Sequence, residues 1–207
     1  MCYISMDILK NREMHMAPKK KFSKEQIIDA AFEIARAEGI DHITIRKVAE
    51  QMGSSIAPIY VNFTDIDELR MAVINKIHEV SQQMLMTPYS PNPFLNIGIA
   101  SLKFAREYPA LFKDLIMNNN GYLKNIQPPP SNVLEMMKQS PELEGFTDDE
   151  LLGIFFKLRV FQIGLSVMDI NGLLPEEYNE KKLIEILQSG GKDVIAAARL
   201  RNSGKWS

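Results

Sequence analysis

The sequence predicts an all-α protein in two parts: an N-terminal three-helix helix-turn-helix domain over 22–68 and a larger C-terminal helical bundle over 69–207. Three observations lead there. Val, Ile and Phe recur at spacings of three and four without sustained alternation, so no segment reads as a strand. Breakers such as "TPYSPNP", Thr87 to Pro93, cut the chain into helix-length pieces. Finally, "MGSSIAPIYVNF", Met52 to Phe63, sets Gly, two Ser and Pro between two short helical stretches.

Residues 1–21 show no clean periodicity and read as a disordered leader ending in a basic arm, with Met16 as an alternative natural start. The first helix opens at Ser23, a capping residue, with Gln26 at the capping-box position. Its apolar positions are Ile27, Ala31, Ile34 and Ala35, and Gly39 stops it. In "DHITIRKVAEQMG" Thr44 is the expected N-cap of a second helix, Val48, Ala49 and Met52 its apolar stripe, and Gly53 its end. A third helix is expected from Ser55 to about Asn62. A fourth starts at Thr64 or Asp65, with Asp67 and Glu68 where the helix dipole favours acid, and runs to Met86. Beyond the breaker, helices are expected at about 93–107, 109–119, 131–139, 147–170 and 175–201, separated by "NNNG", "QPPPS", "QSP" and "NGLLP".

Two short helices joined by a tight Gly-containing turn form the motif that places its second helix in the DNA major groove. Proline in mid-helix costs about 3 kcal/mol, but the first helical turn has no intrahelical N–H bonds to lose. With Ser55 as N-cap, Pro58 falls at N3 and is tolerated there. The second helix then offers Ile56, Ala57 and Pro58 to base edges, where small apolar groups meet thymine methyls. Ser54 and Ser55 bring hydroxyls, and Tyr60 either reaches a phosphate or packs as a core aromatic. Ile59 and Phe63 are expected to point inward.

The stretch "AAFEIARAEGIDHITIRKVAEQMGSSIAPIYVNFTDIDEL", Ala30 to Leu69, resembles the DNA-binding domain of the TetR family of bacterial transcriptional regulators. The resemblance lies in its order of helix, Gly, Thr-x-Arg-x-Val-Ala, Gly, Ser, Ile-Tyr and Phe. It implies that Thr44 and Arg46 contact phosphate or a neighbouring base, and that Ser55, Ala57, Pro58 and Tyr60 lie on the recognition surface. Val61 and Ile66 stand where the family often has phosphate-binding side chains. Lys47 beside Arg46, and the cluster Lys19, Lys20, Lys21 and Lys24, are the basic groups left to meet the backbone. The resemblance further implies a homodimer joined through 147–170 and 175–201, a near-palindromic operator in double-stranded DNA, and repression relieved by an unidentified small molecule. The pair Gly190-Gly191 either breaks the last helix or admits a partner's backbone.

Composition is compatible with this. A formal charge of −2 provides no global basic field, so an anionic partner must be met locally. A single cysteine leaves no intrachain disulfide framework and fits a reducing, cytoplasmic compartment. No uninterrupted apolar run reaches the roughly 18–20 residues of a membrane span. The histidines, His15, His42 and His78, form no i,i+4 pair, and no metal or cofactor is expected. Phosphate-binding, nucleophile-elbow and dyad motifs are absent, so no catalytic residue is assigned. In the body, "DELLGIFFKLRVFQIGLSVMDI" is apolar around much of its circumference and should be covered by its own core and by a partner. Its stripe Phe155, Arg159, Gln162 and Ser166, with Phe104 and the adaptable Met84, is the expected ligand-binding set. Arg159 either meets a ligand carboxylate or forms an internal ion pair. The rival readings are a helical enzyme or scaffold, and a DNA-binding protein without an effector.

Overall fold

Each helix of the N-terminal half begins and ends for a local reason. Ser23 and Gln26 form a complete capping box at the start of α1 (Lys24–Glu38). Gly39, at φ +108°, turns the chain into a single 3-10 turn, Ile40–His42. Thr44 accepts from the Lys47 amide to start α2 (Ile45–Met52), which Gly53 closes in the left-handed conformation. After α3 (Ala57–Asn62), Asp65 caps α4 (Ile66–Met86), with Asp67 and Glu68 in its first turn. The computed structural model describes residues 22–116 and 131–204, and every element among them is helical.

The body continues with α5 (Pro93–Glu107), α6 (Pro109–Ile116), α7 (Ser131–Lys138), a 3-10 turn (Pro141–Leu143), α8 (Asp148–Ile170) and α9 (Glu180–Asn202). The remainder of the 109–119 expectation lies outside the described residues. The last helix starts at Glu180, five residues later than expected from 175. Pro175 to Tyr178 form a turn, closed by the Tyr178 amide on the Pro175 carbonyl, and the Asn179 side chain then caps the Lys182 amide. The helix passes through Gly190-Gly191 unbroken. A Cβ at Gly190 would meet the Phe161 ring of α8 at 2.8 Å, so the close approach there is by a side chain of the same protein.

Three apolar clusters hold the molecule together. The first joins α1, α2 and α3 around Ile27, Val48, Ile59 and Phe63, and takes in Leu69, Val73, Ile74 and Ile77 of α4 and Leu111 of α6. At roughly 1.5–3 kcal/mol per fully buried large apolar side chain, this cluster dominates the stability of the head and fixes it on α4 and α6. The second packs Phe94, Met137, Leu151, Ile154 and Ile195; the third packs Leu102, Leu165, Leu183 and Leu187. These place the start of α8 beside the end of α9 and the reverse, an antiparallel pair that Asn202 pins by donating to Glu150 at 2.7 Å. Arg106 clamps α5 to α8 through both oxygens of Asp169, at 2.5 and 2.9 Å.

By length and composition α8 is apolar enough to cross a bilayer. Lys157 and Arg159 interrupt it at mid-helix, and one side of it lies in the two body clusters. Its other side bares Phe156, Val160 and Met168, four and eight residues apart along one face, with Phe156 exposed to 67%.

Candidate functional site

Two features of the molecule are candidate sites. The first is α3. Its N-cap is Ile56, not Ser55: Ile56 already has helical φ and ψ and offers no side-chain cap, while the Ser54 hydroxyl donates to the Ser55 carbonyl at 2.9 Å. The helix therefore starts one residue later than expected, and Pro58 sits at N2 rather than N3. That position is equally free of a donor requirement. Ser55 is left exposed with no capping duty. Gly53 hands the chain to α3 with its own amide on the Ala49 and Glu50 carbonyls and the Ser54 amide on Ala49.

Ile59 and Phe63 anchor α3 in the core at 0% and 2% exposure, so the opposite side must face outward. That side carries Ile56, Ala57, Tyr60 and Val61, with Tyr60 solvent-facing rather than a core aromatic. It has no charged side chain. The basic candidates surround it, each engaged by a carboxylate: Arg46 on Glu50 at 2.9 Å, Lys47 on Glu38 at 2.6 Å, and Lys24 on Glu68 at 3.2 Å. Lys24 also lies 4.7 Å above the Phe63 ring. The Thr64 amide, donating to Glu68 at 2.7 Å, is the main reason that carboxyl is held below the ordinary glutamate range, with Lys24 adding to it. Exposed pairs of this kind are worth about 0–1 kcal/mol, so exchanging a carboxylate for a phosphate is cheap. Thr44 is occupied in capping α2. Lys19, Lys20 and Lys21 lie outside the described residues.

The second feature is a cavity of about 880 Å³ in the body, walled by α4, α5, α6, α8 and α9. On α4 the wall residues are Ile74, Ile77, His78, Ser81, Gln82 and Leu85, a single helical face. Met84, named from the sequence, falls off that face and does not line the cavity. Phe104, Phe155, Arg159 and Gln162 do line it. Ser166 does not: it is fully buried one turn beyond, where its hydroxyl accepts from the Gln162 side chain at 2.8 Å and holds that amide in place. Arg159 forms no ion pair among the described residues, contrary to the internal-pair alternative. The sequence did not single out Lys192, Phe161, Ser101 or Glu142, which also lie on the wall. Nothing local marks Lys192, one of several charges along an amphipathic helix.

The two features meet at α6. Phe112, Leu115 and Ile116 face the cavity, whereas Asp114 reaches the head and accepts the Ile40 amide at 2.6 Å. Gly39 is needed beside it. A Cβ there would approach the Asp114 carboxylate to 2.7 Å, and its φ of +108° disfavours any other residue. Phe32 of α1 and Tyr108 between α5 and α6 add an edge-on ring contact at 6.1 Å.

This arrangement, a helix-turn-helix head mounted on a helical body, matches solved structures over most of their length. The TetR-family transcriptional regulator of Haemophilus influenzae superposes with a TM-score of 0.58 at 19% identity, over 84% of this chain and 94% of that one. The fold is that of the TetR family. TetR from Acinetobacter baumannii shares it at 18% identity and a TM-score of 0.54, over 87% of this chain and 99% of that one. In sequence, the chain is 37% identical over 49 residues to the HTH-type nicotine-responsive transcriptional repressor HdnoR of Paenarthrobacter nicotinovorans, which is 24% of this chain and 25% of that repressor. No family model matches the sequence. In TetR-fold terms α2 and α3 are the helix-turn-helix, and α4 to α9 the body.

Proposed function

We propose that the protein is a cytoplasmic transcriptional regulator of the TetR type, a homodimer that binds a near-palindromic operator through α3 and is released from it by a small molecule held in the body cavity. The observation that carries the first half is α3 itself: a short helix locked at Ile59 and Phe63 whose outward side is small, apolar and uncharged. Such a side, with Ile56, Ala57 and Pro58 leading and Tyr60 one turn on, suits contact with thymine methyls, while Lys24, Thr44, Arg46, Lys47, Ser54, Ser55 and the Lys19–Lys21 arm supply contacts to phosphate.

Two recognition helices must lie about 34–36 Å apart to read successive turns of one DNA face, which requires a two-fold dimer. The bare stripe of Phe156, Val160 and Met168 on α8 and the exposed Leu200 on α9 support a contact there between copies. The cavity, with α6 exposed to it on one side and gripping the head with Asp114 on the other, supports control by a ligand. The requirement is differential affinity: a ligand that binds both arrangements of the heads equally shifts nothing.

The test is an electrophoretic mobility shift at about 150 mM salt on the DNA flanking the gene, followed by selection from a randomised operator library, since salt sets how much nonspecific binding survives. The expected result is a discrete, competitor-resistant complex that a Pro58→Asp, Tyr60→Ala double variant does not form. Equal, weak enrichment of unrelated sequences by both proteins would refute operator binding through α3.

A further inference from the structure

We infer that the body cavity is built for an amphiphilic organic anion: an apolar, drug-sized molecule whose one carboxylate-like head is drawn by the unpaired rim cations, Arg159 of α8 and Lys192 of α9. The inference rests on the reading of this cavity as the effector site and names the chemistry of its occupant.

The argument starts from charge bookkeeping on the wall. Several basic side chains of the body are matched, Lys103 with Glu180, Arg106 with Asp169, Lys138 with Asp148 and Lys182 with Glu185, and Lys113, Lys157 and Lys181, unmatched among the described residues, lie off the cavity wall. Arg159 and Lys192 both line the cavity, and neither forms an ion pair among the described residues. The one carboxylate on the wall, Glu142, is already engaged by the Asn92 side-chain amide. A third cation, Arg199, is held elsewhere, on the Glu142 and Glu144 carbonyls at 2.7 and 3.2 Å and stacked 4.8 Å from the Phe146 ring.

Arg159 and Lys192 lie level along the antiparallel α8–α9 pair, two residues from the Phe161–Gly190 contact, and helical periodicity sets them on the two flanks of that pair, where each reaches the cavity wall. Both are exposed, at the rim of a cavity whose interior is lined by Ile, Leu and Phe. A rim cation remains hydrated until a ligand arrives, so it avoids the desolvation cost of a buried unpaired charge. The guanidinium fork suits a planar carboxylate and the ammonium supplies a second point charge. A cavity of about 880 Å³ is near the upper end of the roughly 300–1,000 Å³ of small-molecule sites, so the apolar part of the ligand is substantial.

The experiment is isothermal titration of the full chain at pH 7.5 with three ten-carbon probes below their micelle concentrations: decanoate, 1-decanol and decylamine, the last as its ammonium ion. Decanoate is expected to bind at least tenfold more tightly than decanol, and decylammonium most weakly. In the Arg159→Gln, Lys192→Gln double variant decanoate should fall to the level of decanol, with decanol unchanged within twofold. A Gly191→Leu variant, whose side chain enters open space on the wall, should lose all three. Thermal melts of both variants confirm that they are folded. Equal wild-type affinities for decanoate and decanol, or an anion preference that survives the double variant, would overturn the inference while leaving the cavity a ligand site. Binding of none of the probes to wild type, or unchanged binding to Gly191→Leu, would overturn the effector-site reading together with it.

Discussion

Asp114 is an acidic residue in an apolar helix, and replacing it with alanine isolates the join between head and body. Its carboxylate accepts the Ile40 amide at 2.6 Å, and Ile40 is fully buried, so water cannot replace the lost acceptor. Leaving a buried donor unsatisfied costs about 1–3 kcal/mol; taking about 2, Asp114→Ala should lower the melting temperature by about 4–8 °C in a chain of this size. Asp114→Asn retains an acceptor oxygen and should cost about half as much. Gly39→Ala tests the same contact from the other side, because it combines a left-handed φ with a Cβ placed 2.7 Å from the carboxylate. Removing the carboxylate relieves the second problem but not the first. The double variant Gly39→Ala, Asp114→Ala should therefore be less damaged than the sum of the singles, by more than about 0.5 kcal/mol. Denaturant melts of the four proteins measure this directly. Strict additivity, or an Asp114→Ala melt within about 1 °C of wild type, would refute the contact as described.

Asn96, nearly buried on α5, accepts from the Tyr89 and Ser90 amides and donates to the Leu85 and Thr87 carbonyls, closing the α4–α5 connection. Asn96→Asp turns a carboxylate onto two carbonyls and should cost about 2–4 kcal/mol, seen as a lower urea midpoint at unchanged m-value. Glu180 is held below the ordinary glutamate range, first by its hydrogen bond from Lys103 and then by the nearby charges of Lys103 and Arg106. A depressed carboxyl stabilises the fold above its unfolded value, so this contribution is complete above about pH 4.3 and disappears as pH falls through the lower folded value. The melting-temperature advantage of wild type over Glu180→Gln should accordingly shrink in that acid interval and be constant above it. Finally, a Phe156→Asp, Val160→Asp variant, altered only on the bare stripe of α8, should sediment as a monomer with native helicity if that stripe joins two copies; an unchanged dimer would place the interface elsewhere.

How much of this was legible in the sequence depended on the range of the interaction concerned. Ser23 with Gln26, Thr44 and Gly53 act on backbone groups within four residues, and their roles could be read directly, while the start of α4, open between Thr64 and Asp65 in the sequence, is capped by Asp65. The start of α3 was misjudged by one residue because Ser55 has the chemistry of a cap, while the backbone at Ile56 is already helical. Arg159 stood out as a charge inside an apolar helix. Lys192 did not, since only the packing of five helices around the cavity puts it on the wall, and nothing in its own helix marks it. Met84 lies on a face of α4 that does not line the cavity, which residue type alone could not show. Asp114 was missed altogether, for its partner is a backbone amide 74 residues away and nothing in "LFKDLI" distinguishes it from a surface acid.

That long-range contact also bounds the proposed mechanism. Two kcal/mol corresponds to roughly a 30-fold change in an equilibrium, and the two copies in a dimer to about 4 kcal/mol. Reversing a 1:99 population to 99:1 takes about 5.5 kcal/mol. Release of Asp114 from both heads would therefore fall short of a complete switch, and the Phe32–Tyr108 contact beside it is the nearest source of the remainder. Because α6 meets the cavity through Phe112, Leu115 and Ile116, a ligand that displaced this eight-residue helix would act on the Asp114 contact directly and on the Phe32–Tyr108 contact through Tyr108, the residue just before it. The size of the effect then follows from the ligand's differential contact with α6, not from its total affinity for the cavity. Ligands of equal affinity but different reach toward α6 should release operator DNA to different extents, and a release that tracked affinity alone would show that α6 is not the element being moved.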